Sequence, residues 1–129
     1  MAAENEYRIE MVYCHASLGQ IYVESGDFKI ARNQFSQALK ISTEIELIPA
    51  TVETLVGVAS MLNQLNQARG AAMVSAWAVG QEQCTHASRE EVGRLLEELK
   101  LRMEAQKFEK AVALGRNMDL EQILEEVKL

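Results

Sequence analysis

Proline is almost missing from this chain, occurring once at Pro49, and only seven glycines interrupt its 129 residues. Long stretches are therefore free of the two residues that most readily end helices. Cys14 and Cys84 are the only cysteines, too few for a disulfide framework. They fit reduced, part-buried thiols. No apolar run approaches the length of a bilayer span, so no membrane partner is expected. The opening MAAENEYRIE is acidic and has no apolar core, and does not read as a secretory signal. Basic residues never stand side by side, and with 13 of them against 19 acidic ones the net charge is −6. Displacing counterions from phosphates needs clustered Lys and Arg, so direct nucleic-acid binding is not expected. A soluble, cytoplasmic protein is the expectation.

What is present is helix-forming. Hydrophobic residues make up 48% and charged residues 25%, a globular balance, and Ala, Leu, Glu and Gln dominate the uninterrupted stretches. The periodicity predicts an all-α fold of seven helices with no strand. The first should run from about Asn5 to Ser25, with Met11, Cys14, Leu18, Ile21 and Tyr22 inward. Gly26 suits a left-handed C-terminal cap and Asp27 an N-cap. The second helix carries Phe28, Ala31, Phe35, Ala38, Leu39 and Ser42 on one face and ends near Leu47. Pro49 opens the third, marked by Val52, Leu55, Val56, Ala59 and Leu62, with its end within Asn63 to Gln67. A fourth is expected over Ala68 to Gln83, small on one side. Ser88 and Glu91 read as a capping box for a fifth helix carrying Val92, Leu95, Leu96, Leu99 and Met103. A sixth, Ala105 to Leu114, should stop at Gly115. Asp119 and Gln122 read as a second box, opening a last helix with Leu120, Ile123, Leu124 and Val127 inward.

Breaks this short force antiparallel hairpins, and the first hairpin has an internal logic. Gly19 and Ala31 are small where two helices cross closely, Tyr22, Phe28 and Phe35 fill the space around them, and Ala38 makes room for the next hairpin. The pattern Leu18-Gly19-x-x-Tyr22, Gly26-Asp27-Phe28, Ala31, Phe35, Ala38-Leu39 resembles the tetratricopeptide repeat family. Residues 49–85 look like a degenerate copy, with Gly57 for Gly19, Ser60 for the tyrosine and Ala68 for Ala31. The resemblance implies one domain over 1–129, a right-handed superhelix of stacked hairpins. Its parts are a first repeat at 5–47, a second at 49–85, and C-terminal helices capping the stack at 88–129. Arg69-Gly70-Ala71-Ala72, Phe108, Ala111, Leu114-Gly115-Arg116 and Met118-Asp119-Leu120-Glu121 also resemble the last helical-repeat segment of bacterial signalling ATPases and MalT-like, LuxR-type transcription regulators. A phosphate-cradling loop and a basic recognition helix are absent from this sequence. Docking or sensing is thus the role the second resemblance implies.

In a tetratricopeptide hairpin the inner face of the first helix lines a concave groove. Carried over, that face is Tyr13, Ala16, Gln20, Val23 and Glu24, and in the second hairpin Thr51, Thr54, Val58, Met61 and Leu62. Such a surface suits an extended peptide or a helix, unless the C-terminal helices cover it and make it core. The family's carboxylate clamp of lysine and asparagine is replaced by Ala16 and Gln20, which removes the chaperone-tail reading. Cys14-His15 and Cys84-x-His86 lack the spacing of a closed zinc site, so no metal is expected. No cysteine or serine has a nucleophile's context, so no catalytic residue and no cofactor are assigned. Trp77 is expected in the core, with an interface anchor as the alternative. The expected function is a non-enzymatic protein-interaction module, related to a bacterial signalling or transcription regulator. A homodimerising structural piece and a small-effector sensor are the alternatives.

Overall fold

The computed structural model describes residues 2–129. Among these residues it has seven helices and no strand: α1 (Ala2–Glu24), α2 (Phe28–Glu44), α3 (Ile48–Gln64), α4 (Ala68–Val79), α5 (His86–Arg102), α6 (Ala105–Arg116) and α7 (Leu120–Val127). Each of the first four helices packs antiparallel on the next, α1 and α5 both lie beside α3, and α6 and α7 pack on α4. None of the helices is long and apolar enough to cross a membrane.

The first three turns are one device used three times. Gly26, Glu46 and Asn66 all adopt positive φ, at 82°, 55° and 62°, and stand 20 residues apart. At each, the left-handed residue donates to a carbonyl three back and its successor to one five back: Asp27 to Tyr22 at 2.9 Å, Leu47 to Ser42 at 2.8 Å and Gln67 to Leu62 at 2.8 Å. This is the Schellman arrangement, which satisfies carbonyls that a helix end leaves without partners. A whole hairpin therefore takes 40 residues, longer than the roughly 34 of a tetratricopeptide repeat. Glycine suits the left-handed position and asparagine tolerates it, but Glu46 carries a Cβ penalty there. Glu46→Gly is expected to stabilise the chain by about 0.5–1 kcal/mol. Urea titration checks this, and an unchanged or lower midpoint would contradict it.

The core grows from the predicted steric wedge. Ala31, Phe35, Ala38, Leu39 and Ser42 of α2 are all buried. A Cβ on Gly19 would lie 2.5 Å from the Phe35 ring, and one on Gly57 would lie 2.8 Å from the same ring. The benzyl group thus fills the space that two glycines leave open, one on α1 and one on α3. Ala38 packs in a second cluster with Val12, Ala16 and Ala50. The central helix α3 touches α1, α2, α4 and α5, which is why it is apolar nearly all round. Trp77 is buried at 3% exposure in the main core.

Four expectations are corrected. On α1 the buried residues are Val12, Ala16, Gly19 and Val23, while Cys14, Leu18 and Ile21 face outward. Apolar residues surround this helix, so periodicity could not choose the face. Helix α4 ends at Val79, not Gln83, because Arg89 reaches back from α5 to cap it, Nη1 to the Val79 carbonyl at 2.8 Å and Nη2 to that of Gln81 at 2.9 Å. Helix α5 is capped by Thr85, whose hydroxyl accepts from the Ser88 N–H at 3.1 Å, so Ser88 lies inside the first turn rather than before it. Gly115 does not stop α6 but is buried within it against the Met73 backbone, with a notional Cβ 2.9 Å from the carbonyl carbon. The Asp119–Gln122 box is present in both directions, at 2.8 and 2.9 Å, and Ile123 is fully buried.

Candidate functional site

Because α1, α3 and α5 lie side by side, their shared outer face forms a shallow trough. Ridges on α1 and α5 wall it, and α3 is its floor. One hollow of about 320 Å³ is lined by Gln20, Val23 and Glu24 of α1, Val56, Gly57, Ser60 and Gln64 of α3, and Glu91 and Arg94 of α5. A second, of about 240 Å³, shares Gln20 and Glu24 and adds Tyr13, Ala16, Ser17, Ile21 and Glu53. The two adjoin at these shared side chains.

Gly57 serves the floor as well as the core, since a Cβ there would lie 3.4 Å from Gln20 Nε2 on the trough side. Arg94 donates to Glu91 Oε1 at 2.6 Å, and this hydrogen bond is the main cause that raises the guanidinium pKa. Glu24 and Glu53 form no ion pair among the described residues. Three carboxylates against one guanidinium leave the lining negative by two. Ion pairs this exposed contribute little to stability, so these charges are available to a partner.

Of the expected groove residues, Tyr13, Gln20 and Glu24 line the trough and are exposed, while Ala16 and Val23 line it from beneath at 6% and 3% exposure. The second-hairpin set is placed elsewhere. Val58 and Met61 are fully buried, Thr51 and Leu62 are buried too, and Thr54 turns its hydroxyl to the Ala50 carbonyl at 2.7 Å. They pack the core and cannot touch a ligand in the trough. The face of α3 that floors the trough is Glu53, Gly57, Ser60 and Gln64. Its signal was present, for these stand at i, i+4, i+7 and i+11 and include its one charged residue. Glu91 and Arg94 on α5 had no such signal, since only the stacking brings them to the first hairpin.

The thiols and imidazoles are held apart from this site. Cys84 is 7% exposed in the turn before α5 and burial pushes its thiol pKa up, against a smaller downward pull from Arg89. Cys14 is exposed on α1. His15 Nδ1 meets Gln34 Oε1 at 2.7 Å, and His86 Nε2 meets Glu90 at 2.8 Å. Among the described residues no group of three or more His, Cys, Asp or Glu is placed to hold a metal. No family model matches the chain, and neither a curated protein nor a solved structure matches it.

Proposed function

We propose that this chain is a non-enzymatic interaction module that holds a polypeptide segment in the trough between α1 and α5. The carrying observation is that the two hollows adjoin at Gln20 and Glu24, beside the unpaired carboxylates of Glu24 and Glu53. The trough has an aromatic ring in Tyr13, amide groups in Gln20 and Gln64, and an apolar strip beneath, which together suit an extended or helical segment. Its negative balance favours a segment bearing lysine or arginine, steered by charge and weakened by salt. The tetratricopeptide resemblance supports the same reading through a groove on the first helix of the hairpin, although the 40-residue hairpin is longer than that family's repeat. Placement in a bacterial signalling or transcription regulator, and a cytoplasmic setting, extend the proposal through the second resemblance.

Selection from a random peptide display library tests it. Recovered peptides should be enriched in lysine and arginine. Tyr13→Ala with Gln20→Ala should weaken their binding roughly tenfold or more. Glu53→Lys should reverse the charge preference. Peptides without basic enrichment, or equal binding to all three chains, would refute the trough as the site.

A further inference from the structure

The outward face of α1 is a sequence of apolar side chains with nothing on it. Tyr7, Met11, Cys14, Leu18 and Ile21 follow one another at steps of four, three, four and three. That alternation is a heptad seam, the pattern by which two helices pack knobs into holes. Tyr7 is 64% exposed, Leu18 39% and Ile21 57%, with Cys14 exposed and Met11 half-buried. On the opposite side Val12, Ala16, Gly19 and Val23 face the core, so the helix is apolar on both sides and covered on one. Isolated exposed apolar residues are ordinary, but a contiguous stripe along a helix marks an interaction surface.

We propose that this seam pairs with the α1 seam of a second copy, parallel and in register. A heptad stripe is its own complement, and a twofold pair covers both stripes at once. The charges bordering it choose the direction. Arg8, paired with Glu44 of its own chain, and His15 stand on one flank, and Glu10 and Glu24 on the other. Antiparallel pairing sets each flank against itself, acid on acid and base on base. Parallel pairing avoids setting acid on acid and brings Glu10 to face the imidazole of His15 of the second copy. The ring of His15 uses Nδ1 for Gln34, which leaves Nε2 for this contact. The stripe spans residues 7–21, about two heptads, shorter than the three to four that hold a coiled coil unaided. The pair is accordingly weak and concentration-dependent. Tyr13, Gln20 and Glu53 lie to one side of the seam, while Ile21 and Glu24 border both the seam and the second hollow.

The register has a built-in reporter. In the parallel pair Cys14 meets Cys14 of the second copy, whereas antiparallel pairing sets it against Met11 or Leu18. Diamide should therefore join the two chains: two thiols lose two protons and two electrons to the azo bond, which becomes a hydrazine. Cys84 is buried and should not contribute. Light scattering over a concentration series should show the mass rising from one chain to two. Tyr7→Glu with Leu18→Glu, both exposed positions outside the trough, should raise the dimer dissociation constant roughly a hundredfold with unchanged far-UV circular dichroism. Cys14→Ser should abolish the diamide product. A single-chain mass at every concentration would overturn the proposal, including the case in which another protein's helix occupies the seam. So would a dimer that survives the double glutamate variant. A dimer that diamide cannot couple would overturn the parallel register. None of these variants replaces a residue that lines the trough, so failure here is separable from failure of the peptide reading.

Discussion

Phe35→Ala is expected to lower stability by about 3–5 kcal/mol, the range for removing a buried phenylalanine. At this chain length that is a drop in melting temperature of very roughly 10–20 °C. The ring is fully buried and in contact with two different helices at positions that lack a side chain. On the sides of Gly19 and Gly57 no side chain can swing in to fill the void, so the cavity should collapse poorly. Calorimetry reads the effect directly, and a loss under about 1 kcal/mol would show that the helices close the gap by moving. A cycle sharpens the test. Gly19→Ala alone should destabilise, since its Cβ would sit 2.5–2.9 Å from three ring atoms. Combined with Phe35→Leu, the penalty should fall short of the sum by about 1 kcal/mol or more. Strict additivity would mean that the glycine and the ring do not share one space.

Gly115→Ala is expected to cost about 3 kcal/mol, at or beyond the usual range for overpacking. Here the obstacle is backbone rather than a side chain. The added methyl would overlap the Met73 carbonyl oxygen and lie 3.0 Å from Met73 Cα, so no change of rotamer relieves it. Helix α6 would have to withdraw from α4, and since α7 also packs on α4, burial of Ile123 should suffer with it. In a free helix the same substitution would stabilise by nearly 1 kcal/mol, because alanine is the better helix former. The two arguments thus predict opposite signs, and urea denaturation decides between them. A stabilised Gly115→Ala chain would show that α6 and α4 are not in close backbone contact.

The candidate site was half legible for a related reason. Tyr13, Gln20 and Glu24 could be found because the first hairpin is written in small and large residues over a short span. On α3 the carried-over positions Thr54, Val58 and Met61 face about a quarter of a turn away from the trough, among the core residues. A helix that is apolar nearly all round offers weak phase information, and its few polar residues, Glu53, Ser60 and Gln64, were the better guide. The same ambiguity misled the reading of α1. Its outward stripe has a flawless helical period, and a period says that a face is apolar without saying what lies against it.

Local chemistry settled the identity and number of the helices, most of their ends, the inward face of α2 and the Asp119–Gln122 cap, because each depends on residues within one or two turns of one another. What the folded chain alone decided were contacts between distant segments: Arg89 ending α4, Gly115 admitting the Met73 backbone, and Glu91 and Arg94 walling a trough whose other side is α1. Helix propensity and capping act over a few residues, whereas the facing of an evenly apolar helix is fixed by which neighbours surround it. Those neighbours are set by the packing of the whole stack.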